Sequence, residues 1–225
     1  YSIGIGSLIV AFGIGAALAL TTTGLPINDN GDRVGGPFAW FNLYAVLGGL
    51  AVIGFCLVHG AAFLALKTES AVREKAGAFV VKWSPLALLP IVGWVLVVQF
   101  QNGDLLSWAL VVGAVVAVLL AWFSARQGRE GRAFAGIAAF VALGAASIFA
   151  AVYPVVLPST INSAYNLTIS NASSSDYTLM VMSIVTAVFL PIIIGYQVWS
   201  FWIFRKRIGE HHIPEAHDVT AAVAR

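Results

Sequence analysis

The sequence predicts an all-α, polytopic membrane helix bundle with six transmembrane helices. The first observation behind this is composition. Sixty per cent of the 225 residues are hydrophobic, only 10% are charged, and mean hydropathy is +0.90. A soluble domain carries about 25% charged residues, so this chain could not cover a water-facing surface. The second is the presence of six apolar runs, at residues 2–20, 40–66, 76–100, 106–124, 134–153 and 178–204. About 20 helical residues at about 1.5 Å each cross a hydrocarbon core of roughly 30 Å. The third is charge placement. Lys67, Arg73, Lys75, Lys82, Arg126, Arg129, Arg132, Arg205, Lys206, Arg207 and Arg225 all fall on one side of the resulting map, and Arg33 alone falls on the other. The positive-inside rule makes the basic side cytoplasmic, with segments 21–39 and 154–177 outside.

The first run carries Ser7, Ala11, Gly15 and Ala19 at steps of four, a small-residue stripe that lets a neighbouring backbone approach closely. The chain opens on Tyr1 with no signal-peptide pattern and is read as the remainder of a longer chain. The second run holds Cys56, the lone cysteine, and His59, and leaves the membrane at Lys67. One cysteine excludes an intrachain disulfide and a multi-cysteine metal site. The third run contains Pro85 and Pro90, which membrane helices tolerate as kinks, while Lys82 snorkels to the interface. Small stripes recur at Gly113, Ala117 and Ala121 and at Ala138, Ala142, Ala146 and Ala150. Bundle packing explains them; a cofactor slot is the alternative. Trp40, Trp108, Trp199 and Trp202 fit interfacial belts.

Segment 154–177 lacks Lys and Arg and is rich in Asn and Ser. Ser159, Asn162, Asn166, Thr168 and Asn171 can make local hydrogen bonds, and Leu157, Ile161, Leu167 and Ile169 can act as apolar anchors. The segment is therefore expected to be ordered over the outer helix ends. The last run carries Pro191 and stops at Arg205-Lys206-Arg207, and residues 208–225 read as a soluble cytoplasmic tail.

Polar chemistry inside the runs is sparse. No Asp, Glu or Arg lies within any of them, which argues against an ion-coupled transporter or a proton pump built from this chain alone. His59 is the one titratable residue well inside. It is expected to be a neutral imidazole bonded to a neighbouring helix, with proton relay, quinone headgroup contact or haem ligation as alternatives. Cys56 precedes it by three and can share its face. Tyr196 and Gln197 are expected to make helix–helix hydrogen bonds. His211, His212 and His217 lie in the polar tail and read as solvated. No catalytic residue and no metal site is expected, and no nucleic-acid partner.

Two blocks carry a family resemblance. Residues 153–207 read Y-P-x-x-L-P-S, N-L-T-I-x-N-A-S-S-S, T-L-x-V-M and W-x-F-W-x-F-R-K-R in order. This resembles the end of subunit II of cytochrome bd quinol oxidases. V-H-G-A-A-F-L-A-L-K-T, residues 58–68, is similar to the end of another helix of that subunit. Weaker similarity runs through the remaining helices. The family fold is described as nine helices, so the resemblance implies that this chain is the carboxy-terminal two thirds. The family's acidic T-D-G-F-D-type and G-N-Q-V-W-type segments have no match here.

What the resemblance implies is a role inside an enzyme. Such oxidases oxidise quinol and reduce dioxygen to water in the bacterial cytoplasmic membrane. Two haems b and one haem d are ligated by subunit I, against which subunit II packs as a shielding partner. The resemblance further implies a possible structural quinone, with small accessory subunits also open. His59 is then the candidate for a polar or quinone contact, and no residue of this chain is expected to ligate a haem iron. A transporter and a non-enzymatic membrane scaffold or assembly protein are the rival readings. The first wants polar broken-helix sites, and the second leaves the 153–207 pattern unexplained.

Overall fold

A computed structural model describes residues 2–209. Eight α-helices and one two-stranded hairpin are formed: α1 (Ser2–Thr23), α2 (Leu43–Lys67), α3 (Ser70–Ala87), α4 (Leu89–Asn102), α5 (Leu105–Arg126), α6 (Glu130–Val152), β1 (Val155–Leu157), β2 (Leu167–Thr168), α7 (Ile169–Ala172) and α8 (Asp176–Ile203). Six spans are long and apolar enough to cross a membrane, α3 and α4 together making the third. This is the all-α polytopic bundle that the sequence predicts.

The helix ends are set by local chemistry. Asn42 Oδ1 accepts from Ala45 N–H at 2.9 Å and starts α2. Asp104 and Ser107 form a reciprocal capping box at the start of α5. Glycine is needed where two helices stop. Gly24 (φ +90°) follows α1, and Gly128 (φ +68°) follows α5. Past the latter, Arg129 N–H reaches back to Ser124 O at 2.9 Å, a closure that needs the left-handed residue.

The third span is interrupted at one residue. Leu88 (φ −92°, ψ −3°) separates α3 from α4, with Pro85 inside α3 and Pro90 in the first turn of α4. Pro85 has no N–H, so the Val81 carbonyl loses its helical donor. Trp122 of α5 supplies the replacement, its Nε1–H lying 3.0 Å from Val81 O. The break itself has a partner too. Gly54 of α2 lies against the Ala87 carbonyl, where any Cβ would collide.

α2 is the central helix and packs on α1, α3, α4 and α6, while α5 packs chiefly on α6. Val58, Val80, Trp94, Val98, Ile137 and Phe140 lie in the main core. Between α1 and α2 the small residues do what their spacing predicts. Gly15 and Ala19 meet Gly48, and Phe12 covers Gly49. Since lipid is as apolar as the side chains, such contact is what holds membrane helices together. On α5, Ala117 and Ala121 likewise face Gly136 of α6. The α6 stripe is a correction, because Ala142 and Ala146 are exposed. The buried face of that helix is instead Ala133, Ile137, Phe140, Gly144 and Ser147.

Segment 154–177 is built. β1 and β2 pair antiparallel with an irregularity in register, and Asn166 Oδ1 accepts from Ser159 N–H at 2.8 Å. Asn162 and Thr168 cap the short turns that follow. Leu25 N–H donates to Pro158 O at 3.1 Å, Thr160 N–H to Leu25 O at 3.0 Å, and Ser159 Oγ–H to Ile27 O at 2.7 Å. The two loops of the uncharged end are thereby tied together. Leu157 and Leu167 are half-buried as anchors, but Ile161 and Ile169 are exposed.

α8 differs from the other spans, for none of its residues is buried. Its last turn is held at the basic end of the bundle. Lys67 Nζ donates to Phe204 O at 2.9 Å, and Ile208 N–H to Lys67 O at 2.8 Å. Arg207 lies 3.5 Å from Glu130, which also pairs with Arg73 at 2.6 Å.

Candidate functional site

His59 sits on α2 four residues after Phe55, and α6 brings Phe134 to its other face. Its ring stacks on both, with centroids 5.1 and 4.4 Å apart. Nδ1 is buried and has no hydrogen-bond partner. The expected bond to a neighbouring helix is therefore not what positions this side chain; aromatic packing is. An unpaired buried nitrogen in an apolar span is an uncompensated polar group, and it is the one such side-chain atom among the described residues.

Cys56 does not join His59. Three residues on a helix are about 60° apart in projection, enough to give the pair different neighbours. Cys56 borders a groove with Gly4, Ser7 and Leu8 of α1, whereas His59 faces α6. Met180 and Met182 are 55% and 58% exposed on α8. Tyr196 and Gln197 are exposed on the same helix. Tyr196 has Trp199 as its ring neighbour at 6.1 Å, and neither residue makes a side-chain hydrogen bond to another described helix. The expected helix–helix bonds fail because no helix of the described residues covers them. His211, His212 and His217 lie outside the described residues.

Two polar assemblies escaped the sequence reading. Near the uncharged end, Gln99 of α4 is 2% exposed. Its Nε2–H donates to Ser147 O of α6 at 3.1 Å, and its Oε1 accepts from Ser107 Oγ–H of α5 at 2.7 Å. One amide thus joins three helices, with both of its ends satisfied. Asp104, which caps α5 beside it, accepts from Ser107 N–H at 2.7 Å. That hydrogen bond holds its carboxyl below the ordinary aspartate value. The signal was available as a lone amide in the V-V-Q-F stretch of an apolar run.

The second assembly is Glu130 with Arg73 and Arg207 at the basic end. Glu130 is the first residue of α6 and brings together α3, α6 and the segment after α8. In sequence it reads as one charge in a short polar loop, and only the fold reveals its partners. Neither assembly places a nucleophile, a base and an acceptor together. What both supply is helix registration.

Comparison with known proteins bears on identity directly. The family described as "Cytochrome bd terminal oxidase subunit II" matches residues 1–204. The chain is 32% identical over 210 residues to the cytochrome bd ubiquinol oxidase subunit 2 of Bacillus subtilis (strain 168), covering 91% of this chain and 62% of that protein. It is 28% identical over 252 residues to the cytochrome bd-I ubiquinol oxidase subunit 2 of Escherichia coli (strain K12), covering 95% of this chain and 66% of that one. The chain thus spans a little under two thirds of the length of these relatives. With the motif order of residues 153–207 and the six-span bundle, this match makes the chain a member of the cytochrome bd terminal oxidase subunit II family.

Proposed function

We propose that this chain serves as the non-haem-ligating structural subunit of a respiratory terminal oxidase that oxidises quinol and reduces dioxygen to water. The observation that carries the reading is the family match over residues 1–204. The partner in this reading is cytochrome bd subunit I, which ligates haems b and haem d and takes the quinol. Those haems, when bound there, supply the electron transfer to dioxygen. The present chain packs against that partner and shields the haems. Its basic end and tail face the cytoplasm of a bacterial cell, and segment 154–177 faces outward.

The bare length of α8 supports the packing role. A helix with no buried residue and an aromatic-rich end is a docking face awaiting cover. The surroundings of His59 support the non-ligating role. Both ring faces are covered by phenylalanine and Nδ1 is enclosed by protein, so only the Nε2 edge of this half-buried side chain is left for an outside contact. Quinone contact at His59 is confined to the ring edge, since Phe55 and Phe134 hold its faces.

The test is the haem spectrum of the assembled complex carrying His59→Ala. All haem absorption bands should persist at normal subunit content, with at most a lower assembly yield. Loss of one haem signal at unchanged subunit ratio would overturn the structural assignment. Orientation is tested separately with a cysteine at Ser173, which should label from outside intact cells. Labelling only after lysis would invert the map.

A further inference from the structure

Two separate cavities lie along the seam between α3 and α5, one at the basic end of the bundle and one farther in. The first, the mouth, is a cavity of about 630 Å³ bordered by Arg73, Glu74, Arg126 and Glu130. Its floor is made of small residues, among them Ala62, Gly77 and Ala133. That volume lies in the range of small-molecule sites, roughly 300–1,000 Å³. Farther into the membrane-spanning part of the seam lies a cavity of about 300 Å³ bordered by Pro85, Leu88, Val118, Leu119 and Phe140, with almost no polar surface. Trp122 stands between the two. It borders the apolar cavity, bonds Val81 of the mouth, and lies 4.8 Å beneath the Arg126 guanidinium.

The charges at the mouth are unequally engaged. Arg73 and Glu130 hold each other at 2.6 Å. Arg126 has the Trp122 ring as a neighbour but no ion pair or hydrogen bond among the described residues. Glu74 also borders the mouth, so the local balance must be read over the whole end. Segments 67–75, 126–132 and 205–207 hold nine basic residues (Lys67, Arg73, Lys75, Arg126, Arg129, Arg132, Arg205, Lys206 and Arg207) against Glu69, Glu74 and Glu130. The field at the mouth is therefore positive, and a guanidinium fork suits phosphate oxygens.

We propose that these two cavities together bind one anionic glycerophospholipid of the leaflet at the basic end. Its phosphate diester sits at Arg126, with Arg73 beside it, and an acyl chain occupies the apolar cavity past Trp122. A free phosphate would use the mouth and leave the apolar part empty. A lipid uses both, and the order of polar mouth, tryptophan and apolar slot matches the order of headgroup, interface and chain.

The test is native mass spectrometry of the delipidated, detergent-purified assembly containing this chain, titrated with phosphatidylglycerol. Arg126→Gln should lower lipid retention about fivefold, the order expected for one interfacial arginine. Gly77→Phe should lower it comparably by filling the mouth with every charge intact. A Cβ at Gly77 meets nothing within 4 Å, so α3 itself accommodates that change if the arginine variant misfolds. Phosphatidylcholine should bind more weakly than phosphatidylglycerol, and millimolar inorganic phosphate should not displace the lipid. Unchanged retention in both variants overturns the site. Equal binding of phosphatidylcholine overturns the anionic headgroup, and displacement by inorganic phosphate reduces the site to one for free anions.

Discussion

Pro85 and Pro191 each remove a backbone N–H from a helix long enough to cross a membrane, so each releases the carbonyl four residues earlier. In α3 the released group is Val81 O, and Trp122 of the neighbouring α5 donates to it. In α8 the released group is Ala187 O, and no side chain of the described residues donates to it. The same asymmetry extends to packing. Gly54 presses on the end of α3 at Ala87 O, while a Cβ at Gly195 of α8 would meet nothing within 4 Å. α3 is completed from inside the chain; α8 depends on lipid or another protein surface for its environment.

The largest effect that sharpens this contrast should come from the two glycines. Gly54→Val drives a side chain into backbone and should destabilise the bundle by about 3 kcal/mol, read as a fall in thermal midpoint. Gly195→Val should change the same midpoint by no more than about 0.5 kcal/mol when this chain is separated from any partner. A comparable loss at both positions would mean that α8 is packed after all.

Next is the proline pair. Trp122→Phe leaves Val81 O without its donor in an apolar setting and should cost about 1–3 kcal/mol. In a Pro85→Ala background the helical N–H returns, so the same change should cost much less. The double-mutant cycle measures that coupling, and additive losses would show that the indole acts through packing alone.

A smaller effect is expected at the clamp that holds the last turn of α8. The Arg73 and Arg207 side chains are 43% and 32% exposed, so screening limits what Glu130→Gln removes to about 1 kcal/mol. The more telling readout is the distance between spin labels on α3 and beside Ile208, which should broaden in the variant. An unchanged distribution would assign the anchoring to Lys67 and its bond to Phe204 O.

The smallest effect concerns pH. The Asp104 carboxyl is held below its ordinary value by Ser107. The sign follows: a depressed carboxylate stabilises above its unfolded value and loses that contribution as pH falls through the lowered folded value. Protection of the amides in the first turn of α5, taken relative to their intrinsic exchange, should fall only under that acid condition, and Asp104→Asn should abolish this change in protection. A pH-independent protection factor in the native chain would remove Asp104 from the cap.

The contrast between α3 and α8 was only partly legible in the sequence. Length, composition and alternating charge suffice to count six spans, because a 30 Å hydrocarbon core imposes them residue by residue. Small-residue spacing marked Gly15 and Ala19 as a contact face of α1, without its partner Gly48, but misplaced the buried face of α6. Alanine tolerates lipid as readily as a helix, so its periodicity does not say which side is covered. Pro85 could be read as a kink, yet its remedy lies on Trp122, 37 positions along the chain. Gln99 and Glu130 likewise depend on partners in other helices, which a linear reading places nowhere near them. Asn162, Asn166 and Thr168 were legible as loop builders because their bonds are short-range.

The hairpin over the uncharged end has a consequence for how the last helix meets its surroundings. Ser159 and Thr160 fasten the hairpin to the loop after α1, and Lys67 and Glu130 fasten the other end. α8 is therefore a strut fixed at both ends and bare between them. Its ends are tied to the rest of the chain before anything lies along it, so a surface that does so orders less backbone than one that meets a free helix. The entropy that ordinarily opposes the docking of a loose helix has been lost already, when the chain folds.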